Sequence, residues 1–271
     1  MTHTVALPHG TLSWDDTGAQ HNALPVVLLH GFPHDRGLWS AQLAAHADVL
    51  DGTRLILPDL PGFGGSAPLH EPSMDGYADA IAAMLDAAGI EQAVIGGLSM
   101  GGYVALAFWR RHAARVRALL LLDTKAGADG DAAKLKRREL ITTVEAQGVG
   151  AIVDGLIPGQ LGQTTRATVP ALVEQVTMML RRAPDTGVIG AAQAMMTRVD
   201  STPTLATINV PTLVLVGEED TLTPLADAMT LASGIAGSRL VTVPDAGHLS
   251  ALEQPTIVNA AIAEFLDVLV R

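Results

Sequence analysis

Ala93-Val94-Ile95-Gly96-Gly97-Leu98-Ser99-Met100-Gly101-Gly102 joins a short apolar run to a stretch of helical character, residues 100–112. At the joint stands the pattern G-x-S-x-G, residues 97–101. A strand that turns directly into a helix brings two backbones almost into contact. Glycines two residues before and after the apex leave room for that turn. The serine at the apex is held in a strained conformation with its hydroxyl exposed above the sheet, where it can act as a nucleophile. So short a pattern also arises by chance, and its surroundings must decide. Here a strand precedes it and a helix follows. Ser99 is the candidate nucleophile.

Working outward, the same kind of apolar run recurs on both sides. Val26-Val27-Leu28-Leu29 ends at His30-Gly31, Arg54-Leu55-Ile56-Leu57 at Pro58-Asp59, and residues 118–122 at Asp123. Residues 212–216 end at Gly217 and residues 240–243 at Pro244. Continuous rather than alternating apolarity marks strands buried on both faces, the signature of a parallel sheet. Helical segments such as 74–88 and 100–112 lie between several of the runs. The alternation predicts an α/β fold, a mostly parallel sheet with helices on both faces. Near the N-terminus, residues 4–7 and 11–15 flank Pro8-His9-Gly10 and read as an antiparallel hairpin at the sheet edge.

Between Lys125 and Ile208 the alternation stops. Helices are expected at 131–147, 150–157, 165–182 and 185–198, with Pro158, Pro170, Pro184 and Pro203 as punctuation. Pro170 falls inside the third of these and marks an alternative start for it. Strand character returns at Thr212. The sequence therefore predicts one core, residues 1–124 and 209–271, with a helical cap, residues 125–208, inserted in it. No internal repeat interrupts this organisation.

Composition narrows the function classes. Of 271 residues, 48% are apolar, enough for a substantial core and against disorder. Seventeen basic against twenty-eight acidic side chains give a net charge of −11, which argues against a nucleic-acid surface. The absence of cysteine removes disulfides, thiolate metal sites and cysteine nucleophiles together. No apolar run approaches the roughly 18 residues of a membrane span, and Met1-Thr2-His3-Thr4 lacks the order of a secretory leader. A soluble, cytoplasmic protein is expected, with no membrane partner; its oligomeric state is not legible. With aromatics at 3%, any pocket is expected to be lined by aliphatics and methionine.

A serine hydroxyl needs a base, and the base needs an acid to fix its tautomer. After this elbow motif the chain order is acid, then histidine. Only His112 and His248 follow Ser99. His112 ends the helix that starts beside Ser99, about three turns away, which is too far. His248, in Asp245-Ala246-Gly247-His248 after the last strand, is the candidate base. Asp220 and Asp123, each following a strand, compete as the acid; Glu218 and Glu219 read as solvated loop charges, with Glu219 a third contender. The oxyanion needs two N–H donors. Met100 N–H stands at a helix N-terminus, where the backbone dipole favours an anion. The second belongs to His30-Gly31-Phe32-Pro33, where Pro33 has no N–H and Phe32 is the natural donor.

At this point the chain resembles the α/β-hydrolase fold superfamily. His30-Gly31-Phe32-Pro33 is similar to its HGxP oxyanion loop, and residues 59–66 to its D-x-x-G-x-G-x-S loop. Residues 97–102 resemble the elbow, 217–220 the acid loop and Gly247-His248 the base loop. The resemblance spans roughly residues 26–269 and favours Asp220 over Asp123, because its acid loop follows the strand before the histidine strand. It implies hydrolysis of a small carboxylic ester through an acyl-enzyme, with no cofactor and no metal. It leaves open a lactonase of the 3-oxoadipate enol-lactonase type, a cofactor-free perhydrolase, and a non-catalytic ligand receptor on the same scaffold. Serine rather than aspartate at the elbow argues against haloalkane dehalogenases and epoxide hydrolases. The only tyrosines, Tyr77 and Tyr103, lie outside the cap, which argues further against the latter.

Rival signals fail on context. Residues 62–67 fit the dinucleotide pattern G-x-G-x-x-A, but Pro61 and Pro68 bracket them and leave no long helix to receive a pyrophosphate. Residues 97–102 have the glycine spacing of a P-loop, but Tyr103 follows instead of lysine. His30 and His34 are four apart, but Pro33 between them argues against one metal-binding helix face. The basic run at residues 134–138 reads as a solvated helix face. Met178, Met179, Met195 and Met196 are core filler or the lining of an adaptable pocket.

Overall fold

The computed structural model describes residues 1–7, 10–18 and 23–270; Pro8 and His9 of the expected turn lie outside the described residues. Eight strands form one sheet: β1 (Thr2–Leu7), β2 (Gly10–Asp16), β3 (Leu24–Leu29), β4 (Thr53–Pro58), β5 (Ala93–Leu98), β6 (Val116–Leu122), β7 (Thr212–Gly217) and β8 (Arg239–Val243). Their spatial order is β1-β2-β4-β3-β5-β6-β7-β8. β1 and β2 pair as the expected hairpin, and β2 runs antiparallel to β4; every other pairing is parallel. Parallel register puts the ends of β3, β5, β6, β7 and β8 on one edge, where their loops meet.

Alternate residues of each central strand face opposite sides. Val27 and Leu29 enter one buried cluster with α1 (Met74–Ala87) and α2 (Met100–His112). Val26 and Leu28 enter the other, with Val258, Ile262 and Phe265. Truncating a leucine so buried costs about 2–5 kcal/mol. β8 departs from the expected pattern: it is an edge strand, and of its residues only Val243 is buried.

Between β6 and β7 come α3 (Asp131–Gln147), α4 (Val153–Gln160), α5 (Gln163–Thr168), α6 (Pro170–Arg181) and α7 (Asp185–Met196). The expected helix at 165–182 is in fact two. Pro170 starts α6, since a first-turn residue needs no N–H. The expected helix at 150–157 begins as a tight turn, Val149–Ile152, and α4 continues through Pro158 to Gln160. A proline there forgoes one helical hydrogen bond, a loss that a short helix with other contacts can absorb. Val144 of α3 and Val188 and Met195 of α7 join the first buried cluster. Val153, Val176, Met179 and Leu180, from α4 and α6, join the second. The insertion straddles the sheet edge.

Two glycine pairs seat it there. A Cβ on Gly187 would lie 2.0 Å from the Gly62 carbonyl oxygen, and one on Gly247 would lie 2.2 Å from Gly162 N. Main chain meets main chain at both joints. Among the described residues no helix is long and apolar enough to cross a membrane.

Candidate active site

β5 runs three residues beyond the expected 93–95, through Gly96 and Gly97 to Leu98. Gly96 fits because a side chain there would press on Leu28 and Leu120 of the neighbouring strands. Ser99 follows at φ 55° and ψ −114°, and α2 begins at the next residue. A Cβ on Gly97 would lie 2.1 Å from the Gly101 carbonyl carbon, and one on Gly101 would lie 2.2 Å from the Leu29 oxygen. These contacts are why the turn takes glycine on both sides. Ser99 N–H donates to the Leu122 carbonyl at 3.0 Å, and Thr124 Oγ1–H donates to the Ser99 carbonyl at 2.7 Å. The strained residue is held from both ends, as a conformation costing about 1–3 kcal/mol must be.

Asp123 (φ 44°) and Asp245 (φ 54°) are, among the described residues, the other non-glycines at positive φ. All three follow strand ends at the same edge. The structure brings His248 and Asp220 together: His248 Nδ1 lies 2.8 Å from Asp220 Oδ2, and both side chains are buried. Asp220 Oδ1 accepts from Leu222 N–H (2.8 Å) and Thr223 N–H (3.0 Å), and Oδ2 accepts from Thr223 Oγ1–H (2.7 Å). Burial pushes the Asp220 carboxyl up, but the His248 ring and the Thr223 donors hold it below the ordinary carboxylate value. The carboxylate fixes the histidine with its other nitrogen turned away from the acid.

Asp123 is placed differently. Its Oδ1 accepts from Gly217 N–H at 2.8 Å and its Oδ2 from Ser250 Oγ–H. Burial, then the nearby Asp220, raises it well above the ordinary carboxylate value. Asp123 thereby ties the loop after β6 to the start of the loop after β7 and to the turn after His248. Glu219, expected as a solvated charge or a rival acid, instead accepts from Thr164 N–H at 2.8 Å and from its hydroxyl. Those two bonds lower its pKa. His112 pairs with Asp79 at 2.8 Å at the far end of α2.

Gly31 lets its loop lie against the elbow: a Cβ there would be 3.3 Å from Ser99 Cβ. Among the described residues no main-chain acceptor takes Phe32 N–H or Met100 N–H. His30, buried beneath the loop, accepts from Leu60 N–H at 2.9 Å, so its proton sits on Nδ1, which donates to the Gly31 carbonyl. The loop after β4 closes on itself, with Asp59 accepting from Gly65 N–H at 2.7 Å, and no helix opens there to take a dinucleotide. Among the described residues no group of His, Asp and Glu is gathered as metal ligands.

A cavity of about 220 Å³ opens between the loop after β3 and the insertion, lined by Pro33, His34, Asp35, Phe63, Met179 and Arg182 among others. Of the four methionines singled out, Met179 faces this cavity, Met195 is buried in the core cluster, and Met178 is 56% exposed on α6. The basic run at 134–138 is mostly solvated; Arg137 alone turns inward to Asp129, which Arg198 also holds.

Residues 25–255 match the model of the alpha/beta hydrolase fold. This chain belongs to the α/β-hydrolase family. The α/β hydrolase is 39% identical to a thermophilic esterase from Thermogutta terrifontis whose solved structure superposes with a TM-score of 0.91 over 99% of both chains. It is 30% identical to the AB hydrolase superfamily protein YisY of Bacillus subtilis over 95% of this chain and 96% of that protein. The 3-oxoadipate enol-lactonase 1 of Acinetobacter baylyi is 28% identical, covering 90% of this chain and 89% of its own. Sequence reasoning passed over Thr223, Ser250, Glu253 and Gln160. The first was legible in Asp220-Thr221-Leu222-Thr223, a short side chain folding back on its own loop; the others carry no local signal.

Proposed function

We propose that this α/β hydrolase cleaves small carboxylic esters through an acyl-enzyme on Ser99. His248 Nε2 takes the hydroxyl proton as the oxygen attacks the carbonyl carbon, and returns it to the leaving alcohol. Asp220 holds the ring in the required tautomer and stabilises the imidazolium. Phe32 N–H and Met100 N–H bind the oxyanion, the latter aided by the N-terminus of α2. Water, activated by His248, then releases the acid. Residues 125–208 cap the site. The observation that carries the reading is the 2.8 Å His248–Asp220 pair at the sheet edge that also holds Ser99 at positive φ.

A second reading, hydrolysis of a lactone by the same steps, is favoured by the enol-lactonase relative. Perhydrolysis, and ligand binding without turnover, have no comparable support. Ser99→Ala is expected to lower turnover of p-nitrophenyl acetate roughly 10⁴- to 10⁶-fold with folding retained. More than a tenth of wild-type activity in that variant would sink the mechanism. Graded p-nitrophenyl esters assayed beside lactones separate the two readings.

A further inference from the structure

Residues 160–164 of the insertion run past all three loops that carry the proposed chemistry. Gln160, buried on the core, uses both ends of its amide. Its Nε2–H donates to the Phe32 carbonyl at 3.3 Å, and its Oε1 accepts from His34 Nε2–H at 2.9 Å. Its main-chain oxygen accepts from Leu249 N–H at 3.1 Å, the residue after His248. Two residues on, Gly162 N–H donates to Glu253 at 2.8 Å, the carboxylate that also accepts from Gly247 N–H and Leu249 N–H. Thr164 closes the run on Glu219 in the acid loop.

The Phe32 carbonyl, which can only accept, and His34 together decide which way the amide points. Burial pushes His34 down to about 4, so the ring is neutral near pH 7. Its Nδ1 is buried with no partner among the described residues, so the single proton meets Gln160 from Nε2. The amide oxygen is thereby committed to His34 and the amide nitrogen to Phe32. Neither a hydrocarbon nor a carboxylate can do both, since a carboxylate has no proton to offer the Phe32 carbonyl.

We infer that Gln160 is a positioning residue for the oxyanion site: its side chain sets the peptide that follows Phe32 N–H, while its main chain holds the turn next to His248. This rests on the ester-hydrolysis reading above. The insertion then completes the catalytic geometry as well as roofing it.

The test compares Gln160→Met and Gln160→Glu with wild type for steady-state hydrolysis of p-nitrophenyl acetate and for the rate of Ser99 labelling by a fluorophosphonate. Both variants are expected to lose roughly 10- to 100-fold in kcat, with KM changed by less than about threefold. Labelling is expected to slow in step, because the phosphonyl oxygen occupies the same site. Gln160→Glu should not recover what Gln160→Met loses. His34→Phe removes the partner of the amide oxygen but leaves the amide nitrogen on the Phe32 carbonyl, so it should show a smaller loss of the same kind. A folded Gln160→Met with wild-type kcat, or with raised KM at unchanged kcat, overturns the inference. If that variant does not fold, an unchanged kcat in a folded Gln160→Glu overturns it instead. A wild-type protein that is not labelled at Ser99 sinks the hydrolysis reading itself; equal labelling of wild type and variants sinks only the role of Gln160.

Discussion

Asp123 and Asp220 stand at the ends of neighbouring strands on one edge of one sheet, both buried, yet their carboxyls are driven in opposite directions. Asp220 sits among four donors: two loop N–H groups, the Thr223 hydroxyl and the His248 ring. Asp123 has two donors, no paired cation among the described residues, and Asp220 for a neighbour. Burial presses on both carboxylates, harder on Asp123; the donors that the loop folds around each decide whether the charge survives. The β7 loop turns back on its own aspartate. The β6 loop spends its aspartate on holding other loops in place.

The comparison breaks most visibly in turnover. Asp220→Asn keeps the shape but favours the wrong imidazole tautomer and cannot stabilise imidazolium, so kcat for p-nitrophenyl acetate is expected to fall at least roughly a thousandfold. Asp123→Asn should lose less than about tenfold, because an amide still accepts from Gly217 N–H and can donate to the Ser250 oxygen. The reverse pattern in folded variants would move the acid to Asp123 and leave the rest of the mechanism standing.

The smallest effect is thermal, and it sharpens the contrast through its sign. Asp220 is lowered from an ordinary 3.8, so its carboxylate contributes stability above that pH and loses it as pH falls through the folded value. Asp220→Asn should therefore melt below wild type at pH 7, with the gap closing under about pH 4. Asp123 is raised above 3.8, so its contribution is present below that pH and lost as pH rises toward the folded value. Asp123→Asn should gain on wild type as pH rises above about 4. Melting curves followed by circular dichroism check both; differences moving the same way with pH would refute the contrast.

The sheet was legible in the sequence because a buried parallel strand must be apolar throughout, as residues 26–29, 118–122 and 212–216 are. Ser99 was legible because Gly97 and Gly101 cannot be anything else where strand and helix touch. The two aspartates were not separable by position, since what separates them is which donors a folded loop supplies. Gln160, and the partner of Glu219, were invisible for a related reason. Gln160 finds Phe32 across 128 residues and Glu219 finds Thr164 across 55, and no local pattern encodes either meeting. The break at Val169 was legible only as an alternative, because a proline opens a helix as readily as it ends one.

The two glycine seats under the insertion, Gly62 on Gly187 and Gly162 on Gly247, have no rotamers. A side chain at a joint can swing, tilt or shorten its reach, so the joint gives by degrees; two bare backbones can only touch or part. One methyl at any of the four positions therefore acts as a wedge between the insertion and the rest of the fold.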